Sequence, residues 1–329
     1  MKFKSFTPAV ILSCLSTYVF AVSNDCSNAD DCYQKAVSLV PQNYCVKDSF
    51  CVESHAPEKK LTSDSYVIFD TDYFSKAEKY LNKACQMSHS ESCLLLGLHF
   101  GKQPSNGGMV LDFAKSLSYL RKSCELKNDT GCSATINLFK YYGSCCEADP
   151  ERKEVRICSE KCSVDAITYL DSLCSRNNKN ACEAAGYFIR TAWEISYSEQ
   201  ERTEKAQKYL KKGCELDNAL ACADLADIYD ELHSGDGHDS FNLYLKACQL
   251  KDGFSCGHIG KIYFQGEKVK KDLQKAVFYL KQGCDLDDYS ACEQLTDLYE
   301  KGKDEIKPDS SLAEKYRQRV DELEFSWEL

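Results

Sequence analysis

Cysteine is the residue type whose spacing could carry chemistry in this chain. The sequence holds 21 cysteines. Six pairs share one spacing, C-x7-C: Cys85 with Cys93, Cys124 with Cys132, Cys174 with Cys182, Cys214 with Cys222, Cys248 with Cys256 and Cys284 with Cys292. Sulfur at such spacing can act as a nucleophile, ligate zinc or close a disulfide. The compartment decides between metal and disulfide, and the first residues speak to it. MKFKSFTPAVILSCLSTYVFA has a positive start at Lys2 and Lys4, an apolar stretch from Pro8 to Phe20 and small residues around Ala21. Residues 1–21 read as a secretory signal peptide, and the stretch is too short to span a bilayer. Loss of Cys14 with it leaves 20 cysteines, an even set suited to disulfides in a secreted or periplasmic chain. Full pairing leaves no lone thiol as a nucleophile.

Other catalytic chemistry finds no candidate. A serine β-lactamase needs S-x-x-K and K-T-G, which supply an activated nucleophile and a cationic clamp on the substrate carboxylate. Neither motif occurs. The six histidines (His55, His89, His99, His233, His238, His258) form no H-x-H or H-E-x-x-H, so zinc hydrolysis lacks its ligands. His233 and His238 read as solvated loop residues, and His258 as cover for a turn. No Gly-rich phosphate loop is present. No catalytic residue, metal or cofactor is therefore expected. The net charge of −10 and the lack of a long basic run argue against a nucleic-acid partner. No further apolar run reaches membrane-spanning length.

The cysteine pairs sit inside a repeat. Successive first cysteines lie 39, 50, 40, 34 and 36 residues apart, a period typical of stacked supersecondary units. Eight residues before the first cysteine stand Ala77, Ser116, Ala166, Ala206, Ser240 and Ala276; four before stand Leu81, Leu120, Leu170, Leu210, Tyr244 and Leu280. Tyr80, Tyr119, Tyr169, Tyr209 and Tyr279 recur five before. After the second cysteine, Leu96, Thr135, Ala185, Leu225, Ile259 and Leu295 stand at +3, and Gly97, Gly186, Ala226 and Gly260 at +4. These spacings each define one helical stripe. Every repeat thus reads as two antiparallel helices, with the disulfide stapling the corner and the small +4 residue allowing close approach. The tyrosines read as packing residues with a hydroxyl at the edge, and Lys211-Lys212 and Lys270-Lys271 as solvated faces.

Two cysteine clusters depart from the repeat. Cys26-x5-Cys32-x12-Cys45-x5-Cys51 is palindromic and favours a nested hairpin, Cys26–Cys51 and Cys32–Cys45; local pairing of Cys26 with Cys32 and Cys45 with Cys51 is the alternative. Cys145, Cys146, Cys158 and Cys162 fall in an insertion over 143–163. Neighbouring cysteines rarely join, so Cys145 and Cys146 should each reach Cys158 or Cys162, with Cys145–Cys162 and Cys146–Cys158 as the expected set and zinc as the lesser alternative. The expected layout is a signal peptide (1–21), a cysteine-rich hairpin and linker (22–65) and a repeat array (66–329). A charged capping helix over 310–325 has Asp321 where the next cysteine would fall.

The columns resemble the Sel1-like repeat, best matched by Ile259-Gly260-x2-Tyr263, Gly266, Val269, Asp272, Lys275-Ala276 and Tyr279. The added C-x7-C staple is similar to the Helicobacter cysteine-rich protein family. The resemblance covers about residues 70–325 and implies an all-α fold, a right-handed α/α solenoid stapled by disulfides. It also implies a secreted scaffold that binds a protein or peptide on its concave face or meets a host. The alternative it implies is penicillin binding with weak β-lactamase activity, toward a β-lactam or a peptidoglycan-like small molecule.

Overall fold

Each C-x7-C corner turns one helix into the next by the same local device. In the computed structural model the described residues are 26–39, 45–46, 50–51, 71–101, 112–142, 147–148, 156–157, 159–232, 238–266 and 268–327. Six helix pairs carry the staples: α2 (Thr71–Gln86) with α3 (Ser90–Phe100), α4 (Phe113–Glu125) with α5 (Asp129–Tyr142), α6 (Glu160–Ser175) with α7 (Lys179–Thr191), α8 (Glu199–Glu215) with α9 (Ala219–Glu231), α10 (His238–Gln249) with α11 (Gly253–Gln265), and α12 (Leu273–Asp285) with α13 (Tyr289–Lys301). Helix α1 (Ala29–Ser38) precedes them and α14 (Ser310–Trp327) follows. The fold is all-α, apart from two ladders of two-residue strands: β1 (Cys45–Val46) with β2 (Phe50–Cys51), and β3 (Glu147–Ala148) with β4 (Arg156–Ile157).

Three residues past each first cysteine the backbone enters the left-handed region, at Ser88, Lys127, Asn177, Asp217, Lys251 and Asp287. That reversal satisfies the orphan carbonyls of the first helix. The next residue's N–H donates back to the carbonyl just before the cysteine, as in Asn218 N to Gly213 O at 3.0 Å. That next residue also caps the second helix: His89, Asn128, Asn178, Asn218, Asp252 and Asp288 each accept a backbone N–H of the following first turn.

The reversal brings the two cysteines of each corner within bonding reach. Cys85 is bonded to Cys93 with Cα atoms 4.9 Å apart, and Cys124 to Cys132 at 4.4 Å. Cys174 is bonded to Cys182 at 4.7 Å, and Cys214 to Cys222 at 4.6 Å. Cys248 is bonded to Cys256 at 4.7 Å, and Cys284 to Cys292 at 4.8 Å. All six separations lie within the range a disulfide spans without backbone movement. The second cysteine of each corner stands in the first turn of its helix. Cys93, Cys182, Cys222, Cys256 and Cys292 are completely buried there, whereas Cys132 is half-buried.

The columns then bury themselves. The residues eight before and four before the first cysteine, and three after the second, are buried in every repeat. The close approach at +4 is literal. A Cβ built on Gly260 would stand 2.7 Å from the Leu280 side chain and 2.9 Å from the Leu280 backbone nitrogen, and one on Gly186 would stand 2.5 Å from Leu210.

The chain forms two compact units, one from residues up to 102 and 115–132, the other from 103–114 and 133–329. The first has a core of Ala36, Ala77, Leu81, Leu95 and Leu96. In the second, α7 packs on α8, α11 on α12 and α13 on α14. Its apolar clusters centre on Leu210 and Leu225, on Tyr244 and Ile259, and on Leu280 and Leu295. Ala313 and Tyr316 of α14 complete the last cluster, so α14 covers the apolar surface of the final repeat.

The nested N-terminal pairing is corrected. Cys26 is bonded to Cys32, with Cα atoms 4.9 Å apart, which excludes Cys26–Cys51 and Cys32–Cys45. The cause is local. Asn28 caps α1 by accepting from Asp31 N at 2.8 Å, so the chain turns sharply and Cys26 folds back onto the first turn. Both cysteines are buried against Ala84. Cys45 stands opposite Cys51 in the β1–β2 ladder. In the insertion, Cys162 is buried and disulfide-bonded; Cys145, Cys146 and Cys158 lie outside the described residues, as do the signal peptide and the linker over 55–65.

Candidate interaction face

With the repeat columns sealed inside, α9 and α11 keep a stripe that is exposed or half-buried along its length. On α9 it runs Leu220, Asp224, Asp227, Glu231, which are residues i, i+4, i+7 and i+11 of one helical face. The matching positions on α7 hold Asn180, Ala184, Tyr187 and Thr191, of which Ala184 is buried, and on α11 Phe254, His258, Lys261 and Gln265. The large apolar side chains that escape burial collect here. Five of the eight among the described residues, Tyr187, Trp193, Leu220, Leu232 and Phe254, lie on these three helices or just past their ends. Trp193, two residues beyond α7, is 79% exposed. Single exposed apolar residues are ordinary, whereas a collection of them marks a contact surface.

Polar bridges fix the stripe's backing. Arg190 of α7 meets Glu231 of α9 at 2.7 Å, next to Leu232 and three residues before Trp193. Tyr244 of α10 donates its hydroxyl to Asp227 of α9, and its ring lies 4.2 Å from that of His258 on α11. One tyrosine thereby ties α9 to α11. Burial pushes the His258 pKa down, with nearby Lys268 adding to the effect. Lys268 itself is held by Asp230.

The electrostatic centre is acidic. Glu183 on α7 is buried and paired with Lys140 Nζ of α5 at 2.8 Å. That ammonium also lies 4.8 Å from the Tyr187 ring. Beside them Asp224 is half-buried and makes no hydrogen bond or ion pair among the described residues. Burial, with the neighbouring Glu183 carboxylate, pushes its pKa up to about 7, against the opposing pull of Lys140.

This constellation holds carboxylates and aromatic faces, and among the described residues no nucleophile stands beside a base in it. The sulfurs of Cys93, Cys132, Cys182, Cys222, Cys256 and Cys292 are all held in disulfides, so none of them supplies a thiolate. Among the described residues no group of three or more His, Cys, Asp or Glu could hold a metal ion. The tyrosine column lies elsewhere. Tyr119 donates to Asn82 and Tyr209 to Asp171 at 2.7 Å, each reaching the preceding repeat. His89 serves as a helix cap, while His55, His233 and the side chain of His238 lie outside the described residues.

The Sel1 repeat family matches residues 72–89, 90–128, 219–252, 255–288 and 290–319, and a tetratricopeptide repeat matches 196–220. The chain is a Sel1 repeat protein. Repeats of this kind generally mediate protein interaction. Among solved structures, a Sel1 repeat protein from Oxalobacter formigenes is 16% identical, with a TM-score of 0.52 over 76% of this chain and 97% of that one. That likeness shows the fold alone. Helicobacter pylori cysteine rich protein B is 27% identical over 40% of this chain and 94% of its own, with a TM-score of 0.33. The uropathogenic Escherichia coli protective antigen c5321, of SLR fold, is 18% identical over 76% of this chain and 60% of its own, with a TM-score of 0.36. No curated protein matches the chain. None of these names carries a β-lactam or a hydrolysis.

The sequence did not single out the outward stripe, because its side chains differ from one repeat to the next. The signal that could have found it is Trp193: a tryptophan just past a helix end that belongs to no repeat column.

Proposed function

We propose that this Sel1 repeat protein works as an exported scaffold that holds a protein or peptide partner, and that the partner docks on the face of α7, α9 and α11. The observation that carries the reading is the gathering of Tyr187, Trp193, Leu220, Leu232 and Phe254 on neighbouring second helices. Aromatic side chains such as these supply most of the energy at protein interfaces. The seven disulfides among the described residues suit an oxidising, extracytoplasmic setting. No helix among the described residues is long and apolar enough to cross a membrane. The partner is accordingly met outside the cytoplasm, a host protein included.

The staples make physical sense for such a scaffold. Each repeat contacts only its neighbours, so a stack can open locally. A disulfide at each corner limits that opening and holds the partner face in one arrangement, which lowers the ordering cost of binding. The test compares two variants of the oxidised protein as bait for envelope and host-surface proteins. Trp193→Ala with Phe254→Ser alters the face, whereas Phe278→Ser alters an exposed phenylalanine on α12. A partner retained by wild type and by the α12 variant, and lost by the face variant, is the expected result. Equal retention by both variants contradicts the placement.

A further inference from the structure

The face has a charge as well as an apolar rim, and the charge is unbalanced at one place. Five acids surround it: Glu183, Asp224, Asp227, Asp230 and Glu231. Three cations are already engaged. Lys140 sits on Glu183, Arg190 on Glu231 and Lys268 on Asp230. A fourth, Lys261 of α11, is exposed and pairs with neither Asp224 nor Asp227 among the described residues. Asp227 accepts the Tyr244 hydroxyl, a neutral donor that leaves its charge uncompensated. Asp224 has no donor at all among the described residues. Two half-buried carboxylates, one turn apart on α9, thus make no ion pair among the described residues, although Lys140 and Arg190 pull on Asp224 from their own pairs. On the same stripe positions stand Tyr187 of α7, Leu220 one turn before on α9 and Phe254 of α11, with Trp193 exposed two residues past the end of α7.

We infer that the partner segment is basic: a lysine or arginine side chain seats at Asp224 and Asp227, with apolar residues of the same segment against Trp193 and Tyr187 on one side and Phe254 on the other. The inference rests on the docking reading above and gives that partner its chemistry. Three physical points converge on it. A long cationic side chain combines an apolar stem with a charged head, which matches carboxylates ringed by aromatic and aliphatic surface. Aromatic faces attract cations, and Tyr187 already does so with Lys140 at 4.8 Å. Burial of unlike charges at an interface rejects acidic and uncharged competitors, so the notch selects as well as binds. A second copy of this acidic chain is a poorer occupant on the same ground.

Protonation gives the proposal a second handle. Asp224 is protonated in a large part of the free molecules near neutral pH, held so by burial and by Glu183 against Lys140, with Asp227 adding to the rise and Arg190 opposing it. Tyr244 and His258 stand on the elements packed against α9: one is a phenol donor and the other an imidazole whose pKa burial pushes down. A cation that seats at Asp224 must expel its proton, so binding strengthens as pH rises from 5.5 to 8.

The experiment selects displayed random dodecapeptides on the full oxidised chain, then measures one synthesised winner by calorimetry. Enriched peptides should carry lysine or arginine beside apolar residues. Asp224→Asn should weaken the winner by roughly tenfold, as should Trp193→Ala, while Phe278→Ser leaves it unchanged. Wild type should bind several-fold tighter at pH 8 than at pH 5.5, and Asp224→Asn should abolish that dependence. Winners without a basic residue, or unaffected by Asp224→Asn, overturn the basic-segment inference; if Trp193→Ala still removes them, the docking reading stands alone. Equal binding of free spermidine at the same site overturns the inference in favour of a bare cation. A dimer seen by sedimentation and broken by Trp193→Ala overturns it in favour of a second copy. No enrichment over an unrelated protein overturns both readings.

Discussion

At the corners, six repeats put the same groups in the same positions. On the stripe of α7, α9 and α11, three neighbouring repeats put three different side chains in each position. Cys174, Cys214 and Cys248 each close a loop to the cysteine eight residues on, Cys182, Cys222 and Cys256. Ala184, Asp224 and His258 occupy one column and share nothing. The difference follows from what each position must satisfy. A corner has to reverse the chain and pack against the same kind of neighbour every time, so its chemistry repeats. The stripe is only partly covered by this chain, where Tyr244 meets Asp227 and His258 and Arg190 meets Glu231. Its exposed side chains answer to no common neighbour within the chain, and the proposed partner would supply one.

Changes to the framework should cost stability, whereas changes to the stripe should cost recognition instead. The largest expected effect comes from Gly260→Leu. Its new side chain meets the Leu280 backbone, which cannot give way, and urea unfolding should show a loss of about 3 kcal/mol, with hydrogen exchange rising first in α11 and α12. Next comes removal of one staple by Cys248→Ala with Cys256→Ala. The closed loop is short, so chain-entropy arguments give a loss of about 2–3 kcal/mol, confined to the neighbouring repeats.

Asp224→Asn sits on the other side of the comparison and should stabilise. The folded-state pKa of Asp224, about 7, is raised above the ordinary carboxylate value. Its protonated form therefore favours folding; that contribution is full below about pH 4 and is lost as pH rises through 7. At pH 8 the asparagine variant should be more stable by on the order of 1–2 kcal/mol, after allowance for partial solvation. The gap should close by pH 4, as thermal unfolding across that range would show. A gap that widens toward low pH contradicts the assignment. The smallest effect on stability belongs to Trp193→Ala, within about 0.5 kcal/mol of wild type, because its ring is exposed; its effect should appear in binding alone.

Much of this framework was legible in the sequence because it is periodic. The buried −8, −4 and +3 columns, the paired helices, the Gly260 approach to Leu280 and the capping helix around Ala313 and Tyr316 all follow from spacing. What was not legible lacked a period. Cys26 and Cys32 form a single local corner whose direction depends on Asn28 capping α1, and the palindrome with Cys45 and Cys51 suggested a longer-range hairpin instead. The interaction face was hidden for the same reason. Asp224 acquires its character only when α5 and α7 bring Lys140 and Glu183 beside it, a juxtaposition from residues 43 apart on two helices. The tyrosine columns, by contrast, announced themselves in sequence and serve mainly to tie each repeat to the one before.

Hydrogen exchange of the oxidised chain, with and without a saturating selected peptide, tests the central claim most directly. The account predicts new protection concentrated in α7, α9 and α11, with the first helices α8, α10 and α12 little changed. Protection that falls on the tyrosine-bearing first helices instead, with α9 unaltered, would contradict it.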